Sequence, residues 1–185
     1  MFIQTEDTPN PDTLKFMPGT TILNKGTADF SNSDSANDSP LASRLFTIDG
    51  VSRVFLASDF ISVTKQSELD WNVLKPSILT GIMEHFSSGL PVLNKIEEDN
   101  TENTISEDSE TIKQIKDLLE TRVRPAVAMD GGDISFCSFE SGVVTLQMKG
   151  ACAGCPSSTA TLKMGIENML RHYIPEVTEV RAAEL

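Results

Sequence analysis

Hydrophobic residues recur with the periods of helices and strands in two blocks of this chain, residues 1–90 and 110–185. In the first block, apolar residues from Ile78 to Phe86 recur every four positions, which predicts a helix over about 71–87. GTADFSNSDSAND is rich in Ser, Asn and Asp and is expected to be a loop. Four strands are predicted from apolar-rich runs between turn residues, which read FIQTE, TLKFM, VSRVFLAS and FISVTKQ.

The second block is predicted to have the element order α-β-β-α-β. Its first helix carries an apolar stripe from Ile112 to Leu119 and is expected to end near Arg122, before Arg124-Pro125. A Ser141-Gly142 turn joins the first two strands. The loop GACAGCPS then leads into the second helix. The three predicted strands read DISFCSF, VVTLQM and VTEVRA.

Residues 91–109 between the blocks are predicted to be a flexible acidic linker. From Glu97 to Glu110 the chain has seven acidic residues, no basic residue, and only Ile105 as a large apolar group. Such a segment buries too little surface to offset the entropy lost on ordering. The predicted fold is therefore α+β, with two small domains, 1–90 and 110–185, joined by this linker.

Charge and composition narrow the functional classes. The formal net charge is −12 and there is no basic run, so binding to nucleic acid or to a membrane surface is not expected. No stretch approaches the roughly 18 apolar residues of a membrane-spanning helix. The beginning, MFIQTEDTPNPD, has neither the apolar core of a signal peptide nor the Arg-rich character of a transit peptide.

Cysteine chemistry is concentrated in one short motif. The chain has three cysteines, an odd and small number that does not suggest a disulfide framework and favours a reducing compartment. Cys152-Ala153-Gly154-Cys155 directly precedes a predicted helix, whose positive end is expected to favour the thiolate form. The spacing leaves three chemistries open: a redox pair, half of a zinc site, or half of an iron–sulfur site.

Counting ligands favours a site shared between chains. Tetrahedral zinc and [4Fe–4S] clusters usually take four protein ligands, whereas this motif supplies two. His85 and His172 are far from the motif along the chain, and His85 is expected on the polar side of its helix. Two copies related by a two-fold axis would supply four thiolates. Cys137 is expected to be a small buried apolar residue, and Asp130-Gly131-Gly132-Asp133 a tight turn rather than a cation loop.

Long ordered motifs show that the chain resembles the NifU-like (Nfu) family. RPAVAMDGGDISF, GACAGCPSSTATLKMGIENML and IPEV are similar to the C-terminal NifU-like domain. The N-terminal region is similar to the Nfu N-terminal domain through MFIQTEDTPNPDTLKFMPG, SPLASRLFTIDGVSRVFLASDFISVTK and DWNVLKPSI. Together these segments cover most of the chain outside the linker and residues 31–38.

The resemblance implies a scaffold or carrier for iron–sulfur clusters rather than an enzyme. It implies a [4Fe–4S] cluster, or alternatively [2Fe–2S], held by Cys152 and Cys155 at a homodimer interface and passed to apo-proteins. Upstream cluster donors are implied as further partners, and Cys137 receives no role. Mitochondrial members carry a transit peptide, and the first residues of this chain do not resemble one. A bacterial cytoplasmic protein is therefore expected.

Two other functions use the same motif. One is a thiol–disulfide oxidoreductase, although no βαβ pattern surrounds the Cys-x-x-Cys pair. The other is a structural module stabilised by zinc across a dimer.

Overall fold

A computed structural model describes residues 1–94, 109–154 and 156–183. Its contacts divide the chain into two compact units, Met1–Glu98 and Asp99–Leu185. Most of the predicted linker lies outside the described residues, so its flexibility and the domain boundaries stay predictions. Within the described helices, none is long and apolar enough to cross a membrane.

The first unit is a five-stranded antiparallel sheet covered by two helices. The strand order is β1-β2-β5-β4-β3. Apolar residues of both helices, including Leu45 and Ile78, share one core with Phe16 and Val54 of the sheet. The strands are β1 Gln4–Asp7, β2 Thr13–Met17, β3 Ala28–Phe30, β4 Val51–Leu56 and β5 Ile61–Lys65, and the helices are α1 Pro40–Phe46 and α2 Trp71–Ser88.

In the first unit, the start of α1 is set by a local cap, whereas the strand β3 is set by pairing with a distant strand. Ser39 caps α1, since its hydroxyl accepts a hydrogen bond from the Ala42 amide at 3.1 Å and Pro40 occupies the first turn. The expectation that GTADFSNSDSAND is only a loop is wrong, because three of its residues form β3. That strand pairs with β4, with Ala28 opposite Leu56. Three residues are too few to show an alternating pattern, so pairing with a distant strand decides the structure.

The second unit confirms the predicted α+β class and the order α-β-β-α-β. Its sheet has the order β6-β7-β8, with β6 antiparallel and β8 parallel to β7. One core joins helices and sheet, with Ile115, Leu146, Leu170 and Val180 fully buried. The elements are α3 Glu110–Leu118, α4 Arg124–Met129, β6 Gly132–Glu140, β7 Val143–Gly150, α5 Pro156–Tyr173 and β8 Glu179–Ala182.

The expected helix end near Arg122 is wrong, because a π-helical segment, Leu119–Val123, connects α3 to α4. In this segment the Arg124 amide donates to the carbonyl of Leu119, five residues earlier. Pro125 then falls in the first turn of α4, where its missing N–H leaves no hydrogen bond unmade. The helical path therefore continues to the end of α4 and brings Arg124 close to the start of β6.

His85 is fully buried, so the expectation that it lies on the polar side of its helix is wrong. Among the described residues, neither of its ring nitrogens has a hydrogen-bond partner within normal geometry. Burial lowers the pKa of His85, and nearby Arg44 lowers it further. The folded state therefore binds fewer protons than the unfolded state, whose histidine titrates near pH 6.5.

We expect the first unit to be fully stable above about pH 6.5 and to lose stability as the pH falls through that value. His85→Leu should reduce this loss, because it removes the buried titrating group. Urea unfolding at pH 7.5 and 5.5 measures the effect, followed by fluorescence of Trp71, the one tryptophan of the chain. His172→Leu is the matched control, since His172 is exposed and lies in the other unit. An equal pH effect in both variants would contradict this account.

Candidate functional site

The loop that carries Cys152 begins with a tight turn after β7. The Ala153 amide donates to the carbonyl of Gly150 at 3.1 Å, which closes the turn. Gly150 and Gly154 have φ values of +63° and +78°, in the left-handed region where glycine is favoured. The glycines on either side of Cys152 therefore allow the chain to reverse between β7 and α5.

Two hydrogen bonds attach this loop to its neighbours. The Thr159 hydroxyl on α5 donates to the carbonyl of Cys152 at 3.0 Å. The Ala151 amide donates to the carbonyl of Gly131 at 3.2 Å, in the turn that precedes β6. The backbone of Cys152 is thus held between the first turn of α5 and the Gly131-Gly132 turn.

The side chain of Cys152 packs against Gly132, and a larger residue would not fit there. A Cβ atom built on Gly132 would lie 2.5 Å from the Cys152 sulfur and 2.7 Å from the Lys149 carbonyl oxygen. Cys152 is 6% exposed and belongs to the core of the second unit. The Gly131-Gly132 pair is the predicted turn, with φ of +82° at Gly131, but Gly132 also forms the wall behind the cysteine.

Asp133 follows Gly132 in the chain and is held by a bidentate salt bridge with Arg124. The Arg124 Nε and Nη2 atoms donate to the two Asp133 carboxylate oxygens at 2.9 and 3.0 Å. Nη1 donates to Glu120 at 2.6 Å, and the Ile134 amide donates to Asp133 at 2.9 Å. Hydrogen bonding to Asp133 raises the pKa of Arg124, and hydrogen bonding to Glu120 adds a smaller increase. The guanidinium therefore stays charged.

The Cys152 thiol is protonated at neutral pH in this conformation. Burial raises its pKa to about 12, and the nearby carboxylates of Asp130 and Asp133 add to the shift. The expectation of a Cys152 thiolate is therefore wrong in this conformation, because burial and the two carboxylates raise the thiol pKa. A metal binds the thiolate form, so a metal bound at Cys152 would displace this proton.

The structure places the other candidate residues away from Cys152 or does not describe them. Cys155 lies outside the described residues. The expectation that Cys137 is buried is wrong: it is exposed, where the β6–β7 register shifts between Phe136 and Ser138. His172 is exposed on the last turn of α5 and stacks edge-on with Tyr173. Across the described ranges, no three or more His, Cys, Asp or Glu residues form a group that could hold a metal.

Gly132 packs against Cys152, and Asp133 and its partner Arg124 follow behind it; the sequence alone did not indicate that role for any of the three. Cys152 offers one sulfur donor of the type that iron–sulfur clusters take, in a loop fixed by backbone hydrogen bonds. One such donor is compatible with a cluster site and does not complete one. A cluster bound at Cys152 would need further ligands from outside the described surroundings of this residue.

Both halves of the chain match models of one protein family. "Scaffold protein Nfu/NifU N terminal" matches residues 3–89, and "NifU-like domain" matches residues 115–181. The second match contains the Cys152 loop and its glycine wall. The chain belongs to the NifU-like (Nfu) family, as its sequence motifs predict.

Relatives resemble the chain over nearly its full length. It is 52% identical to "NFU1 iron-sulfur cluster scaffold homolog, mitochondrial" of Drosophila sechellia, covering 97% of this chain and 64% of that protein. It is 53% identical to "NifU-like protein 5, mitochondrial" of Arabidopsis thaliana, covering 97% and 67%. The chain thus spans about two thirds of these relatives. A solution structure of a Saccharomyces cerevisiae NifU-like protein is 27% identical, with a TM-score of 0.47, covering 51% of this chain and 86% of that one.

The expectation of a bacterial cytoplasmic protein is wrong. Relatives more than 50% identical to this chain, from fly and plant, are named as mitochondrial. The expectation depended on the composition of the first residues, and the chain covers only part of its relatives' length.

Proposed function

We propose that this protein is an iron–sulfur cluster scaffold and carrier that binds a cluster through Cys152 and Cys155 and passes it to apo-proteins. The observation that carries the proposal is the position of Cys152. It lies in a glycine-bounded loop before α5, inside the segment matched to the NifU-like domain. The fly relative with 52% identity is itself named as a cluster scaffold.

The cluster is proposed to lie between two copies of the chain. A [4Fe–4S] cluster takes four cysteine ligands, and so does an ordinary [2Fe–2S] cluster. The motif supplies two sulfurs per chain, and the described residues offer no group of three ligands in one place. Two identical loops across a two-fold axis complete the set. We propose [4Fe–4S] as the cargo, with [2Fe–2S] as the alternative.

The burial of Cys152 suits a carrier that must release its cargo. In the absence of a cluster, the protonated thiol packs in the core as a small apolar side chain. Binding iron requires loss of the thiol proton, which has a free-energy cost because the pKa of Cys152 is raised. Release of the cluster recovers that cost. The cluster is therefore held less tightly than in a site whose ligands are permanently exposed thiolates.

The protein is proposed to act as a binding protein and not as an enzyme. A thiol–disulfide oxidoreductase needs an attacking thiolate, and the raised pKa of Cys152 makes that sulfur a poor one. The first unit contains no cysteine, and we propose that it docks apo-proteins or upstream cluster donors. The names of the relatives support action in the mitochondrion.

Anaerobic reconstitution with iron and sulfide tests the proposed function. We expect sulfur-to-iron charge-transfer absorption in the visible range and a Mössbauer spectrum typical of [4Fe–4S]. The cluster should then transfer to an apo-protein that binds the same cluster type. A matched incubation with zinc should give no functional transfer. Failure to assemble a cluster, together with reduction of insulin disulfides, would favour the oxidoreductase instead.

A further inference from the structure

Arg124 is linked to Cys152 through two intermediate residues. Arg124 binds Asp133, Asp133 follows Gly132 in the chain, and Gly132 packs against the Cys152 sulfur. Arg124 holds both oxygens of Asp133, which is 5% exposed. Gly132 precedes Asp133 and has no room for a Cβ against the Cys152 sulfur. The carbonyl of Gly131 accepts a hydrogen bond from the Ala151 amide in the cysteine loop. A displacement of Asp133 would therefore move the wall that the sulfur contacts.

We propose that Arg124 is a positioning residue for cluster binding, which fixes the Gly131–Gly132 wall through Asp133 and so fixes the Cys152 loop. This inference rests on the proposed function, in which Cys152 is a ligand. A ligand on a fixed loop loses less conformational entropy when it binds, and it is also less free to leave. Loss of Arg124 should loosen the loop while the rest of the unit stays folded.

The geometry of the pairing explains why arginine stands at this position. The planar guanidinium donates to both carboxylate oxygens of Asp133 at once and still has a donor for Glu120. These three hydrogen bonds together fix the orientation of the Arg124 side chain. Lysine would keep the charge but lose the two-point match. The π-helical segment before α4 sets where this side chain begins.

A matched control pair is present in the same unit. Arg181 donates to both oxygens of Glu179 at 2.8 and 3.1 Å, a similar two-point geometry. That pair is exposed on β8 and makes no hydrogen bond to the cysteine loop in the described structure. Arg181→Gln therefore removes an ion pair of similar geometry, at a more exposed position, without touching the wall.

The experiment measures thiol exposure in the reduced full chain without any cluster. Iodoacetamide labelling at one fixed pH is followed by peptide mass spectrometry, with exposed Cys137 as the internal reference in each sample. We expect Arg124→Gln to speed labelling of Cys152 relative to Cys137 by about tenfold, the change produced by roughly 1.4 kcal/mol of lost local stability. Arg124→Lys should give an intermediate value, and Arg181→Gln should match the wild type.

After reconstitution, Arg124→Gln should lose its cluster to a chelator faster than wild type, and Arg181→Gln should not. Equal labelling and equal cluster loss in Arg124→Gln and Arg181→Gln would overturn the proposal. If circular dichroism shows that Arg124→Gln does not fold, Asp133→Asn decides, because it keeps the side-chain shape and removes the charge. Labelling needs no cluster, so a protein that binds no cluster at all would refute the proposed function and leave the test of Arg124 intact.

Discussion

Replacing Cys152 by serine is expected to abolish stable cluster binding, and replacing Cys155 by serine should have the same effect. In a cluster shared by two chains, each substitution removes two of four ligands, one from each copy. A serine hydroxyl is a poor substitute for a soft thiolate ligand at neutral pH. We expect iron content to fall to the background of a protein without a site.

Cys137→Ser is the matched control for this prediction. Cys137 is exposed at the bulge in β6 and is not part of the Cys152 loop. It should retain wild-type iron and sulfide content after anaerobic reconstitution, measured by chemical analysis and visible absorption. Loss of the cluster in a folded Cys137→Ser variant, with retention in Cys152→Ser, would show that the ligands have been assigned to the wrong residues.

Gly132→Ala is expected to have the largest effect of any single methyl group added near the site. The new Cβ would lie 2.5 Å from the Cys152 sulfur and 2.7 Å from a backbone oxygen that cannot move freely. We expect a loss of about 2–3 kcal/mol in the stability of the second unit, the upper part of the range for overpacked cores. Cluster binding should be lost as well, because the sulfur is displaced.

Gly165→Ala controls for the general effect of adding a methyl group to a glycine. Gly165 is in α5, and its Cβ would meet nothing within 4 Å. Alanine favours a helix by up to about 1 kcal/mol over glycine, so this variant should be neutral or slightly more stable. Hydrogen exchange of β6 and β7 amides measures the difference. Equal exchange in the two variants would mean that Gly132 is not tightly enclosed.

The sequence predicted the fold well where local patterns decide it. The four-residue recurrence from Ile78 to Phe86 lies within α2, as predicted, and the local capping chemistry of Ser39 and Pro40 begins α1. The Ser141-Gly142 turn joins β6 and β7. Each of these features depends on residues close together in the chain, so periodicity and capping chemistry suffice to find them.

The site was predicted less completely, because its contacts join distant residues. Cys152 and Cys155 were singled out by their spacing, but the wall at Gly132 stands twenty positions from Cys152 in the sequence. The exposure of Cys137 depends on a register shift between two strands, which no local pattern records. The raised pKa of Cys152 follows from burial in a core that only the folded unit defines.

Native mass spectrometry under anaerobic conditions tests most directly whether one cluster is shared by two chains. Cluster binding and dimer formation should be linked, because the binding free energy holds two chains together. We expect a mainly monomeric apo protein, a reconstituted dimer with one [4Fe–4S] cluster per two chains, and return to the monomer when the iron is chelated. A monomer that keeps a full cluster without added thiols would contradict this account.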